Sequence, residues 1–550
     1  MTFAYPKPAS DADAARFLLQ AQFSASDSEI TSVRNLGYAV WLVSQFAAPA
    51  STTGWDWLNA KGYATIDAAT AYYDNTYPGD YMIWYQLMKS TDGVRKRVAL
   101  ALSEILVVSL EGINISWRGH AIARYWDHLV ANAFGNYRDL LEDITLCPAM
   151  GIYLSTRGNE KENAKTGRQP DENYAREVMQ LFTIGLYELN QDGTYVLDAG
   201  GKRIESYDQD DITNLARVFT GWDYDFSQTT YTMVGDRKVP STSFTSLPMT
   251  LTASKHSTLA ATFLGVTIPA NTDGHTALAI ALDTLFNHPN VGPFIGRQLI
   301  QRLVTSNPSP GYVSRVAAAF NNNGSGVRGD LKAVIKAILL DDEARGPADL
   351  NQGYAGRLRE PMLRLVQWGR TFGLAPTQPN YYWKIGNLSD PGRSLGQSPL
   401  RSPSVFNFFR PGYVPPSPEL AAAGAVAPEF QIVNESSVSG YLNFMQDVVR
   451  FGFWIGAPDL PQGGSDSLNG FAIVAAYTTE LFVVANAAAL VSRLNLLLCA
   501  GQLSQATVDQ IVAALNATPV TATSSDTTKL NRIAAAILLV MASPEYLILK

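Results

Sequence analysis

Apolar residues recur at helical spacing along most of this chain, and that periodicity constrains the fold more than any other feature. Asp11 to Gln22 opens on capping residues and then repeats apolar positions every three to four residues, and Ser28 to Ala47 does the same. Val94 to Leu110 and Ile122 to Phe134 read as buried helices, followed by Tyr137 to Leu146 after Gly135-Asn136. Asp210 to Thr220 puts Ile212, Leu215, Ala216 and Phe219 on one face, and Gly221 ends it. His275 to Asn287, Pro293 to Val304, Tyr312 to Phe320, Leu331 to Leu340 and Arg357 to Phe372 continue the pattern. Strand signals are few. Leu186 to Leu197 surrounds a strong turn at Asn190 to Thr194, a second turn at Ala199 to Lys202 extends that ribbon, and Tyr231 to Leu251 allows short strands limited by Pro240 and Pro248. The expectation is a mainly α protein, a large multi-helical body with a small β-hairpin ribbon.

With 550 residues, 46% of them hydrophobic, the chain can bury a large core. We expect a helical core domain over 1–435, with its β excursion at about 186–251, and a helical C-terminal region over 436–550 packed on it. Breaks are expected at Asn321 to Gly329, Leu374 to Tyr381 and Ser389 to Tyr413. The last carries Phe406, Phe408 and Phe409, so it is expected to pack on the body rather than to behave as a linker. A net charge of −7 argues against a general nucleic-acid binder. No stretch offers the ~20 uninterrupted apolar residues of a membrane span: Glu104 breaks Val98 to Leu110, and Glu480 and Arg493 break Phe471 to Leu498. The N-terminus shows no basic region followed by an apolar one. The two cysteines, Cys147 and Cys499, can pair or stay free. Without a Cys/His cluster, no metal site and no cofactor are expected.

The segment Asp171 to Leu186, DENYAREVMQLFTIGL, concentrates polar chemistry in a chain that is only 17% charged. On a helix, Asn173, Arg176, Glu177, Gln180 and Thr183 fall within a ~140° arc beside Glu172. Such a surface performs acid/base chemistry or grips a polar ligand when it lines a cleft, and is an ordinary solvated face when it meets water. His256 lies in a polar loop and can serve as an acid/base; a surface or capping histidine reads the same. Trp222, beside Asp223, suits stacking on sugar rings or a place in the core. His120 and His128, eight apart on a helix, point ~80° apart, too far for a shared metal. The acidic run Asp208, Asp210 and Asp211 lacks calcium-loop spacing and reads as an N-cap.

ENYAREVMQLFTIGLYELN, then ARVFTGW, then Lys255-His256 before Phe263-Leu264-Gly265, resemble the core signatures of a bacterial family known as domain of unknown function 1800. NAFGNYRDLLEDITLCPAMGIYL (132–154), NHPNVGPFIGRQLIQRLV (287–304) and PSVFNFFRPGY (403–413) are also similar, so the resemblance runs roughly over Asp11 to Asn434, with weaker similarity beyond. It implies a helical protein, often exported to the cell envelope, with links to sulfatase-like envelope proteins as partners and to envelope polysaccharide as ligand. That implies a periplasmic or extracellular location where an export signal has been removed, and a cytoplasmic one otherwise. Many members carry a Trp-His-Asn-His-Phe-like segment where this chain has ALSEILVVS (101–109), so Glu104 occupies the neighbourhood of those histidines.

The function expected is therefore action on, or binding of, an envelope or extracellular carbohydrate polymer through carboxylate acid/base chemistry. Glu172 and Glu177 are the candidate acid/base pair and His256 assists. Asn173, Arg176 and Arg217 position the ligand, and Trp222 stacks on it. The alternative is a non-enzymatic structural or interaction protein, in which Arg176 and Glu177 are ionic ties between helices.

Overall fold

Short polar side chains set the helix starts. Ser10 accepts from the Asp13 amide while Asp13 reaches back, Ser26 does the same with Glu29, and Asp208 with Asp211. The acidic run at 208–211 is thus a reciprocal cap, as expected. The computed structural model describes residues 3–347, 355–378, 383–456 and 471–550. Helices dominate these residues, joined by short two- and three-stranded sheets. The expected mainly α fold is what the chain adopts. The break expected at Leu374 to Tyr381 lies partly outside the described residues.

Three helices end earlier than their periodicity predicts. Ser28 to Ala47 divides into Asp27–Leu36 and Tyr38–Phe46, because Gly37 sits at φ 81°. Val94 to Leu110 is helical only over Gly93–Ser103. Beyond it, side chains take over the carbonyls: Arg302 Nη2 donates to the Glu104 oxygen at 2.8 Å and the Tyr125 hydroxyl to the Leu106 oxygen at 2.6 Å. The segment after Asp171 is helical only over Asn173–Gln180. The amides of Ile184 and Gly185 both donate to the Met179 carbonyl, and the buried Asn290 amide donates to the Ile184 and Tyr187 carbonyls at 2.9 Å each. Periodicity records which residues face the core; it does not record that a distant side chain has replaced the next helical hydrogen bond.

The ribbon after this helix is irregular. Leu189 bridges Tyr195, Leu197 bridges Arg203 and Tyr187 bridges Glu205, with turns at both predicted positions. Tyr231–Val234 pairs antiparallel with Arg237–Pro240. One hydrophobic cluster runs from Ala14 to Leu549 and includes the fully buried Trp84, Trp117, Trp126, Trp222 and Trp368. The late helix Ala487–Cys499 packs on Asp11–Ala21 and on Pro361–Thr371. Ile548–Leu549 pairs with Arg357–Leu358, and Ile473–Val474 with Ala375–Pro376. The Pro-rich segment before Tyr413 lies on the body: Leu395, Leu400 and Phe409 are buried, and Phe406 and Phe408 are half-buried. Arg401 ties it down, donating to both carboxylate oxygens of buried Asp80 at 2.9 and 2.6 Å.

Candidate functional site

The seven residues singled out from the sequence do not form one site. Glu172 is spent on structure. Its Oε1 accepts from Thr213 at 2.8 Å and its Oε2 from Gln209 at 2.9 Å, with Arg176 Nη2 at 3.3 Å, which ties Asn173–Gln180 to Gln209–Val218. Asn173 and Asp171 are exposed, and Asp171 accepts from the Asn173 amide near the helix start. Glu177 is buried with Oε2 unpartnered, and burial pushes its carboxyl up. His256 is also buried rather than a surface histidine, its Nδ1 2.9 Å from the Thr220 carbonyl. Arg217 donates to Asn214 and to the Ala260 carbonyl at 2.6 Å each. His256 and Arg217 share a hollow of only about 10 Å³, at the limit for one water. Trp222 is 1% exposed and meets His275 edge-on at 5.0 Å, so its ring is a core contact and offers no open face for a sugar.

The other titratable candidates are also accounted for. His120 is buried among Trp55 and Trp117, and burial holds its imidazole down to about 3. His128 lies 3.4 Å from Asp143. Cys147 and Cys499 are both buried and free. Among the described residues no three His, Cys, Asp or Glu side chains group to hold a metal ion, and no helix is long and apolar enough to cross a membrane.

A larger cleft lies elsewhere, with a volume of about 680 Å³. Four sequence-distant segments build it. Gly93–Ser103 ends at Glu104, which is 5% exposed. The end of the Asn173–Gln180 helix and the ribbon after it contribute Gln180, Leu181, Gly185, Tyr187 and Tyr195. Val291–Leu303 presents Arg297, Gln298, Gln301 and Arg302, and the 403–413 segment adds Phe406 and Arg410. Gly185 lets the ribbon close on the third segment: it sits at φ 75°, and a Cβ there would stand 2.7 Å from the Phe294 ring. The segments that carry the family resemblance at 172–190, 287–304 and 403–413 thus meet here.

The floor of the cleft holds polar atoms without partners. Glu104 Oε1 and Oε2, Arg302 Nε, Gln298 Nε2 and Gln301 Oε1 are all buried and make no hydrogen bond. Arg302 Nε lies 3.2 Å from Glu104 Oε2 but is poorly aligned with it. Buried polar groups are ordinarily paired, and each unpaired one costs ~1–3 kcal/mol. Five of these atoms belong to residues that line this one cleft. Burial pushes the Glu104 carboxyl well above the usual carboxylate range; Glu360 adds to this, while Arg302, Arg97 and Arg357 oppose it. Behind the floor, Arg357 Nη1 lies 3.5 Å from Glu360 and 3.4 Å from Glu429.

The sequence carried a signal for this site. Glu104 is the one charge in an otherwise apolar run, and Gln298, Gln301 and Arg302 are spaced to share one helix face. Nothing in the sequence said that the two surfaces meet.

A family model described as "Protein of unknown function (DUF1800)" matches residues 16–548. No curated protein and no solved structure matches the chain.

Proposed function

The chain belongs to the DUF1800 family, and we propose that it holds a segment of a carbohydrate polymer in the cleft floored by Glu104, whose carboxyl donates a proton to a ligand oxygen. The observation that carries this reading is the set of unpartnered buried polar atoms from Glu104, Gln298, Gln301 and Arg302 along one wall of an open cleft. Its volume of about 680 Å³ falls within the roughly 300–1,000 Å³ of ligand sites. Tyr187, Tyr195, Phe294 and Phe406 give the cleft an aromatic lining of the kind that carries sugar rings. An adjoining hollow of about 280 Å³ shares Gly193, Tyr195 and Arg297 with the cleft, so the groove extends past one ring and suits a chain of them. In glycosidic cleavage, a neutral carboxyl at Glu104 would protonate the leaving oxygen. An envelope polymer, and a sulfatase-like partner acting on it, are the setting that the family resemblance supplies.

A second reading is favoured by one observation: among the described residues lining the cleft, Glu104 is the only one with a carboxyl. Glycoside hydrolysis ordinarily uses two, so a non-catalytic polymer holder accounts for the same geometry. Glu104→Gln separates the two when binding and release of reducing ends are both measured on bacterial envelope polysaccharides. An enzyme retains binding in the variant and loses turnover by a factor of about 100 or more. A holder shows no turnover in either form. If neither protein binds any polymer, the cleft is not a glycan site.

A further inference from the structure

Many arginines of this chain sit beside a carboxylate. Arg138, Arg157, Arg168, Arg176, Arg237, Arg315, Arg401 and Arg493 each lie within ion-pair distance of a carboxylate. That is the expected outcome where acidic residues outnumber basic ones, 49 to 42. Three arginines lining the cleft have no carboxylate partner among the described residues. Arg297 is half-buried and makes no hydrogen bond, ion pair or ring contact among the described residues. Arg203 makes no ion pair and lies over the Tyr195 ring at 4.0 Å and the Tyr187 ring at 5.5 Å. Arg410 lies over the Phe406 ring at 4.7 Å, again with no carboxylate.

We propose that the ligand of this cleft is an anionic glycan, bearing carboxylate or sulfate groups, clamped by Arg203, Arg297 and Arg410. The proposal rests on the reading of the cleft as a polymer site and adds the ligand's charge. A guanidinium stacked on a ring keeps its N–H edge free, and that edge matches the two oxygens of a carboxylate or sulfate. Stacking also fixes the guanidinium plane before the ligand arrives, so less entropy is lost on binding. With Arg302 on the floor, four guanidinium groups face one buried carboxyl, so the cleft is a positive hollow in a chain of net charge −7. That confinement favours a glycan over a nucleic acid. A long phosphodiester needs a continuous basic track, and the adjoining hollow adds no basic residue beyond the shared Arg297. Tyr187, Tyr195, Phe294 and Phe406 line the cleft together with the arginines, a mixture that fits sugar rings carrying acid groups.

The test is calorimetric titration of the full chain, at low and at high ionic strength, with four short probes. These are an oligogalacturonate, a heparin-derived oligosaccharide, a neutral cello-oligosaccharide and a single-stranded oligodeoxynucleotide. One acidic glycan is expected to bind at least about tenfold tighter than the neutral one, with salt-sensitive affinity. The uronate and sulfated probes show which acid group is preferred. Arg203→Ala, Arg297→Ala and Arg410→Ala are each expected to weaken that binding about tenfold or more, with the melting temperature unchanged. Arg297→Lys, which keeps the charge but not the fork, should recover part of the loss. Binding of the neutral glycan that is equal in strength and indifferent to the arginine variants overturns the anionic clamp but leaves the polymer reading standing. Arginine-dependent binding of the oligonucleotide alone overturns the glycan assignment. Binding of no probe overturns the polymer reading and this inference with it.

Discussion

Replacing Glu429 with glutamine measures how strongly the protein holds its buried charge cluster against ionisation. Glu429 is 2% exposed, with Arg357 Nη1 at 3.4 Å. Burial pushes its carboxyl from 4.5 up to about 7; Arg357 pulls down and Glu360 pushes further up. Between those two values the folded protein keeps a proton that the unfolded chain has released. Stability therefore falls as pH rises through that window, and is not affected by this group below it. At 1.36 kcal/mol per unit, the full span is worth ~3 kcal/mol. Glutamine keeps the shape and the hydrogen-bonding capacity and carries no charge at any pH. Urea unfolding across pH 4 to 8.5, at constant m, is the assay. Near pH 4 the two proteins should agree within ~1 kcal/mol, as expected for a near-isosteric exchange. The gap should then open with rising pH and level off above about 7, with Glu429→Gln the more stable by ~3 kcal/mol. A gap that is flat with pH, or a wild type that becomes the more stable at high pH, refutes the reasoning. Either result would mean that Arg357 more than compensates the cost of burying the carboxylate.

Arg401→Ala removes the guanidinium that grips Asp80 through two hydrogen bonds, and Asp80 is itself buried. A loss of ~3–5 kcal/mol is expected in equilibrium unfolding, with part of it restored when Asp80→Ala is added, because the stranded carboxylate is then gone. Arg176→Ala should cost less than ~1 kcal/mol in the same measurement, since its ion pair with Glu172 is partly open to solvent and screened there. A loss of several kcal/mol would show Arg176 to be the buried tie considered from the sequence.

The sequence by itself determined the mainly helical class, because apolar spacing and Ser/Asp caps are local and survive in any tertiary context. It also determined that 389–413 packs on the body, since a Pro-rich stretch with three phenylalanines is too apolar for a linker, and that Asp208 and Asp211 form a cap. Only the tertiary structure decided which polar residues are free to act. Glu172 and Glu104 are both glutamates beside helices, yet one has its oxygens satisfied by Thr213 and Gln209 and the other has neither satisfied. The difference lies in partners 37 or more residues away from Glu172, and in Arg302, 198 residues from Glu104, which takes the Glu104 carbonyl rather than satisfying its carboxyl. Periodicity ranks residues by the face they occupy. Whether that face meets a helix, water or an open cleft is set by long-range packing, and so the unpartnered carboxyl of Glu104 emerged only when the chain was folded.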